Sequence, residues 1–191
     1  MALKNTPEGY GLITRLLHWG MALVIFAMFG LGLWMRTLTY YHPWYKLGPD
    51  IHRSIGILLF ILLIVRLIWK FINSEPSHAY LPRVERNIAK AVQWIFYGLL
   101  LALMPAGYLV STADGRPIDV FSLFSVPSIY QSKGLEDIAG LAHEYMAYGL
   151  MALAVLHVAA AFKHHFIDHD RTLMMMLRGP ASRPDHKPPS P

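Results

Sequence analysis

The chain has 191 residues, of which 54% are hydrophobic and 15% are charged, and it contains no cysteine. The lack of cysteine excludes disulfides, zinc–thiolate sites, iron–sulfur clusters and thioether-linked cofactors. The formal net charge is +5, but the basic residues lie mostly between and after apolar stretches. We therefore expect membrane lipid as the partner of these charges, and no nucleic acid.

Four apolar segments, each long enough to cross a bilayer, follow one another along the chain. Each approaches or exceeds the roughly 20 residues that a membrane-spanning helix needs. They are Leu12–Met35, Ile51–Ile72, Ile88–Ser111 and Leu141–Phe162. No secretory signal with a small-residue cleavage site is visible, so we expect the first segment to remain as a helix. The expected fold is an all-α transmembrane four-helix bundle over residues 1–178, followed by a disordered cytoplasmic tail over residues 179–191.

The distribution of lysine and arginine predicts the orientation. Eleven of them lie on the N-terminus, the second connection and the C-terminus, against five on the first and third connections. The positive-inside rule then predicts a multi-pass protein with both termini in the cytoplasm. Aromatic residues crowd the first outer connection, as expected at an interface. The third connection starts with a turn signal, Asp114-Gly115-Arg116-Pro117, and is expected to fold over the outer surface.

Four histidines inside or at the edges of these spans fall into two levels. His18 starts the first span on the cytoplasmic side, and His52 starts the second on the outer side. His143 and His157 are fourteen residues apart on the fourth span, so they share a helix face and lie about 21 Å apart along its axis. His143 is then the outer and His157 the inner of the two. The predicted pairs are therefore His18 with His157 and His52 with His143.

Histidine pairs from facing helices are how a bundle holds a b-type haem, because the iron takes one axial ligand from each side of the ring. We therefore expect two stacked, non-covalent haem b groups with bis-histidine ligation. Two imidazoles leave no open coordination position, which favours electron transfer over oxygen activation. A histidine-lined zinc transporter is the alternative metal chemistry. Zinc usually takes about four ligands around one ion, whereas these pairs are separated by nearly the membrane thickness.

The same helical spacing places three further residues beside the pairs. Gly32 lies fourteen residues after His18, and Gly56 lies one turn after His52. Both glycines could leave room for a porphyrin edge, and close helix contact through glycine is the alternative. Arg66 lies fourteen residues after His52, at the inner level. Its expected partner is a haem propionate, and snorkelling to the interface is the alternative.

A weaker candidate ligand follows the fourth span. His164 lies two turns after His157, in the run Lys163-His164-His165. Its depth, at the interface or beyond, argues against ligation and favours interfacial anchoring.

The motifs together resemble the bacterial cytochrome b561 family of four-helix, di-haem inner-membrane proteins. The resemblance covers about Tyr10 to Leu177, and it implies that His18, His52, His143 and His157 are the axial ligands. Trp94 stands where many relatives have a histidine that is not a ligand. The segments that carry the resemblance are RLLHWGMALVIFAMFGLGLWM, HRSIGILLFILLIVRLIWK, STADGRP, HEYMAYGLMALAVLH and KHHFIDHDRTLMMM.

The resemblance implies electron transfer across the bacterial inner membrane between an outer-face donor and the quinone pool, with ubiquinone as the expected substrate. One open function is a superoxide:quinone oxidoreductase, in which Arg53, Arg116 and Lys133 would attract the anion. Acidic residues on the outer connections weaken that attraction. The other open function is an electron-relay cytochrome b subunit that serves a separate periplasmic redox partner and has no small-molecule turnover of its own. No catalytic residue is predicted.

Overall fold

The computed structural model describes residues 2–180, so most of the predicted disordered tail lies outside the described residues. The chain forms four long helices, a small hairpin and a short final helix. In order these are α1 (Leu12–Met35), α2 (Trp44–Ile72), α3 (Arg83–Thr112), β1 (Ile118–Val120), β2 (Phe124–Val126), α4 (Leu135–Phe166) and α5 (Thr172–Leu177).

The four long helices are each long and apolar enough to cross a membrane, which confirms the predicted all-α four-helix membrane bundle. The bounds of α1 are those expected from its apolar run. The other three have 29, 30 and 32 residues and extend past their apolar segments. At 1.5 Å per residue, α4 is about 48 Å long, against a hydrocarbon core of about 30 Å. The ends of these helices therefore lie at or beyond the membrane interfaces.

The helices pack in an open arrangement. The most extensive contact is between α3 and α4, and α2 contacts both α1 and α3. Within the described residues, α4 makes no more than marginal contact with α1 or α2. The small core contains two methionines of α1, two leucines of α2, and residues of α3 and α4: Met21, Met28, Leu59, Leu63, Tyr97, Leu100 and Leu150. The backbone of α4 therefore lies farther from the first two helices than from α3, and we call the wider space between them, which side chains cross, the gap of the bundle.

Large apolar side chains cover the perimeter of the bundle. On α2, Leu58, Ile61, Val65 and Ile68 are between 41% and 55% exposed. They recur every three or four residues and so form one face. We refer to these four residues as the lipid-facing stripe of α2, because they are exposed on a helix that is long and apolar enough to cross a membrane.

The two ends of the bundle differ in what covers them. At the terminus end, the first turn of α1 lies against the final helix, where Arg15 donates to the Leu177 carbonyl at 2.8 Å. At the opposite, hairpin end, β1 and β2 pair antiparallel with Ile118 opposite Val126. Gly115 has a φ of +89°, as the turn signal before this hairpin requires.

Candidate functional site

The structure brings the four intramembrane histidines together as two pairs at two levels. The imidazole centroids of His18 and His157 are 6.3 Å apart, and those of His52 and His143 are 6.2 Å apart. Each pair joins α4 to a helix that α4 hardly touches, α1 in one case and α2 in the other. The two nearly equal separations therefore arise across the gap of the bundle.

These separations suit a metal held between two imidazoles. An imidazole nitrogen binds a transition metal at about 2.0–2.1 Å, and the ring centre lies roughly 1 Å behind that nitrogen. Two imidazoles on opposite sides of one ion would then have their centres roughly 6 Å apart. Both pairs have this spacing, and neutral imidazole is a ligand that haem iron accepts.

At the hairpin end, the backbone of α3 fixes the orientation of His143. Its Nδ1 lies 2.9 Å from the Leu103 carbonyl oxygen. A carbonyl only accepts, so Nδ1 carries the hydrogen and Nε2 keeps a lone pair, the arrangement of a metal ligand with a second partner. A Cβ at Gly107 would lie 2.8 Å from His143 Cε1. The absence of a side chain at Gly107 is therefore what allows this imidazole to lie against α3.

The partner ring of His52 has one nitrogen without a protein partner. Its Nδ1 is buried and makes no hydrogen bond within the described residues. A Cβ at Gly32 would meet only the Cε1 of His52, at 3.6 Å, and one at Gly56 would meet only the Cε of Met28, at 4.0 Å. Gly32 thus lies at the predicted level, beside the histidine. A role of either glycine beside a porphyrin stays a prediction.

At the terminus end, a side chain contacts the histidine pair. A guanidinium nitrogen of Arg66 lies 3.2 Å from Nδ1 of His18, and the guanidinium lies 5.9 Å from the centre of the Tyr97 ring. His157 contacts Phe96, with ring centroids 5.5 Å apart. Arg66 lies at the level predicted for it, turned toward His18. Its contact with a propionate stays a prediction.

A polar cluster surrounds Arg66 on the side away from the pair. Lys70 forms an ion pair with Glu75 and donates to Gln93 at 2.9 Å. Trp69 donates to Thr14 at 3.0 Å. A cavity of about 60 Å³ lies among these side chains, with Arg66, Tyr10 and Tyr97 also in its wall.

A hydrogen-bonded path connects this cavity to the surface. The Tyr10 hydroxyl lies 3.2 Å from Nε2 of His78, and Nδ1 of His78 lies 3.4 Å from the Tyr80 hydroxyl. Burial raises the pKa of Tyr10 to about 12 and lowers the pKa of His78. The hydrogen bond from Lys70 lowers the pKa of Glu75. Glu75 therefore stays ionised, and His78 is mostly neutral at pH 7.

At the hairpin end, the arginines are paired with carboxylates. Arg36 pairs with Glu144 across the gap between α1 and α4. Arg53 pairs with Asp50, and Arg116 donates to Asp114 at 2.6 Å. Two of the three cations expected to attract an anion, Arg53 and Arg116, are thus locally neutralised.

Leu103 and Gly107 were not among the residues predicted from the sequence. The contact to Leu103 uses a backbone carbonyl, which no side-chain pattern reveals. The run Pro105-Ala106-Gly107 inside an apolar helix was a usable signal, since proline and glycine are disfavoured in helix interiors unless a close approach requires them.

His164, the weaker candidate ligand, lies apart from both pairs. Its Nδ1 is 2.6 Å from an oxygen of Asp170, in the turn between α4 and α5. Asp170 therefore engages one ring nitrogen of His164, in the turn after α4 and away from both histidine pairs.

Comparisons with known proteins all lead to cytochromes of one family and their relatives. Residues 9–179 match the family described as prokaryotic cytochrome b561. The chain is 46% identical over 180 residues to cytochrome b561 homolog 2 of Escherichia coli K12, covering 93% of this chain and 95% of that protein. It is 27% identical over 165 residues to the probable superoxide oxidase CybB of Yersinia pestis, covering 84% and 91% of the two chains. It is 27% identical over 134 residues to cytochrome b561 homolog 1 of E. coli K12, covering 70% and 76%.

Proposed function

Because the chain belongs to the prokaryotic cytochrome b561 family, we propose that it is a di-haem cytochrome that carries electrons between a donor at the hairpin end and the quinone pool. Family membership makes it an integral membrane electron-transfer cytochrome that binds b-type haem. The lysine and arginine count supports placing the terminus end in the cytoplasm and the protein in the inner membrane.

The observation that carries the di-haem proposal is the equal spacing of the two histidine pairs, 6.3 and 6.2 Å between ring centres. We propose His18 and His157 as the ligands of one haem, and His52 and His143 as the ligands of the other. Bound haem supplies a one-electron couple at each level. The protein holds the two imidazoles of each pair on facing helices and orients His143 through the Leu103 carbonyl.

Haem stoichiometry tests this proposal directly. A pyridine haemochrome assay on the purified protein is expected to give two haems per chain, both extractable by acid acetone because no thioether holds them. One haem per chain, or haem that resists extraction, would contradict the proposal.

The polar cluster favours the terminus end as the place where quinone is reduced. Reducing a quinone to a quinol takes two electrons and two protons, so a proton path must reach the site. The cavity of about 60 Å³ suits water molecules rather than a quinone ring. We therefore propose that ubiquinone contacts this end from the lipid side, and that Tyr10 and His78 pass protons inward from the surface.

Removing the Tyr10 hydroxyl separates proton supply from electron supply. Tyr10→Phe is expected to slow re-oxidation of the pre-reduced protein by a soluble ubiquinone analogue at least tenfold, within the range of a lost proton-transfer group. Re-oxidation by ferricyanide, which takes no proton, should stay within twofold of the wild-type rate. Tyr41→Phe, on the exposed first connection, is the matched control. Equal slowing with both acceptors would contradict the proton role.

A relay to a protein partner is the second candidate function, and the paired arginines favour it. Superoxide is a small anion and needs net positive potential at its entry, whereas Arg53 and Arg116 are each paired with a carboxylate. A surface of mixed charge is instead typical of protein docking. The name of the Yersinia relative, probable superoxide oxidase, supports superoxide as the donor. Both superoxide and a protein partner therefore remain candidate donors.

Charge substitutions at the hairpin end distinguish the two donors. If superoxide is the donor, Lys133→Glu should slow its reaction several-fold, with the greatest effect at low salt, while both haem spectra stay unchanged. If a protein is the donor, Lys133→Glu should leave reduction by superoxide at the wild-type rate, and Glu136→Lys should weaken docking. Gln131→Glu, in the same shallow depression, is a control that adds one charge without removing a cation.

A further inference from the structure

The β1–β2 hairpin packs on α2, at the end of that helix where the lipid-facing stripe begins. Its attachment point is Ser54, which is 2% exposed. The Ser54 hydroxyl donates to the Asp119 carbonyl and accepts from the Phe121 N–H, both at 3.2 Å. Ser54 lies four residues before Leu58, on the same helix face. The hairpin therefore covers the one polar position of a face that otherwise meets lipid.

The hairpin has one face toward α2 and an apolar tip away from it. Ile118 and Val120 are 4% and 0% exposed, against 47% for Phe121, 79% for Leu123 and 44% for Phe124. Three large apolar side chains, each at least 44% exposed, thus lie together at the tip.

The turn at this tip retains a bulky residue in a strained conformation. Phe121 and Ser122 have φ values of 50° and 59°, and the Leu123 N–H donates to the Val120 carbonyl at 2.9 Å. Turns with two positive φ angles strongly favour asparagine and glycine. A phenylalanine in this position indicates that its side chain has a use outside the hairpin.

The depth of the hairpin matches the membrane interface. The helix residues before Ser54 include the charged Lys46, Asp50 and Arg53, and the apolar stripe follows Ser54. The outward edges of a two-stranded sheet also carry unpaired backbone groups, which cannot lie in the hydrocarbon. The boundary between headgroups and acyl chains satisfies both conditions, since it provides water for the backbone and hydrocarbon for the side chains.

We propose that the hairpin tip, Phe121 with Leu123 and Phe124, is an interfacial anchor that inserts into the outer leaflet beside α2. The occupant of this apolar surface is lipid, because the tip is continuous with the lipid-facing stripe. The anchor holds the third connection at the level of His52, two residues before Ser54. This anchoring role does not depend on which electron donor or acceptor the protein uses.

Single-cysteine labelling tests the anchor, since the natural chain has no cysteine. Leu123→Cys is spin-labelled in nanodiscs of phosphatidylethanolamine and phosphatidylglycerol that hold one chain each. The ratio of relaxation by oxygen to relaxation by a water-soluble nickel chelate is then measured by power saturation. Lys133→Cys, on the polar part of the same connection, is the matched control. The ratio at position 123 is expected to be at least threefold higher than at position 133.

The outcomes decide among the possible occupants. Equal ratios at positions 123 and 133 overturn the proposal. If position 123 is protected from the nickel chelate only in nanodiscs that hold two chains, the surface contacts a second copy. That result also overturns the proposal. Phe124→Cys provides a second tip position, so the result does not depend on one substitution. Each variant is first required to show the wild-type haem spectrum.

Discussion

The two histidine pairs have the same spacing but different supports. At the hairpin end, the Leu103 carbonyl and the missing side chain of Gly107 fix His143. At the terminus end, the guanidinium of Arg66 contacts His18 and connects it to a polar cluster. One pair thus has a backbone partner, and the other has a charged side chain beside it. The backbone support is uncharged and has no proton to exchange, whereas the Arg66 side chain brings charge and exchangeable protons next to His18.

This difference suggests a division of roles. A carbonyl that accepts from Nδ1 makes an imidazole a better electron donor to a metal, but it offers no route for protons. A guanidinium and a network of hydroxyl groups offer charge compensation and a proton path, as reduction of a quinone requires. The asymmetry therefore agrees with the proposed flow of electrons, in which they enter at the hairpin end and leave, together with protons, at the terminus end.

The largest expected effect comes from removing one ligand of each pair. His52→Ala should lose the hairpin-end haem and keep the other, and His157→Ala should do the reverse. A lost ligand leaves an empty or five-coordinate site, visible as altered ferrous spectra or as new carbon monoxide binding. Haem content per chain and spectra measure the outcome. If His52→Ala and His18→Ala remove the same haem, the pairing is wrong.

A smaller effect is expected from Gly107→Ala, which tests the backbone support alone. The added Cβ would lie 2.8 Å from His143 Cε1, a distance that forces the ring to move. The hairpin-end haem should then be partly lost or spectrally shifted, and the terminus-end haem should be unaffected. Gly98→Ala on the same helix is the matched control, because a Cβ there meets nothing within 4 Å. Similar spectra for the two variants would argue against the backbone support.

The sequence predicted much of this arrangement because membrane helices follow simple rules. Continuous apolar runs predicted four spans, and fourteen-residue spacing predicted the level at which the structure has His157 and Arg66 beside His18. The extra turns at the start of α2 and α4 were missed because they contain charged residues such as Lys46 and Glu136, which no hydropathy pattern assigns to a span. The strands of the hairpin have three residues each, too few to show alternation. Backbone contacts such as that to Leu103 leave no trace in a sequence pattern.

Arg66→Gln tests the charge beside His18. It should change the midpoint reduction potential of the terminus-end haem and leave the haem content unchanged. A nearby cation stabilises the reduced, less positive form of an iron centre, so its removal should lower the midpoint potential of the terminus-end haem. A shift of several tens of mV is expected, ~59 mV being a tenfold change for one electron. Arg53→Gln is the control at the other end, since Arg53 is already paired with Asp50 and should shift its haem less. Redox titration measures both, and Arg66→Lys should restore most of the potential.

The smallest effect concerns the surface end of the proton path. Burial lowers the pKa of His78 below its usual value of 6.5, with Glu75 and Asp170 acting to raise it and Lys90 and Arg86 to lower it. The unfolded chain therefore binds a proton at this position more readily than the folded protein does. The associated stability is complete above about pH 6.5 and decreases as the pH falls below that value.

Thermal unfolding at pH 8 and at pH 5.5 measures this dependence. The wild-type midpoint should decrease more between these pH values than that of His78→Gln, because glutamine keeps a polar side chain but does not titrate. His78 is only partly buried, so solvent screening should limit the difference to about 1–2 °C. His42→Gln, on the exposed first connection, should behave like the wild type. Equal pH dependence in the wild type and in His78→Gln would show that His78 does not titrate with folding, and its place in the proton path would then need another explanation.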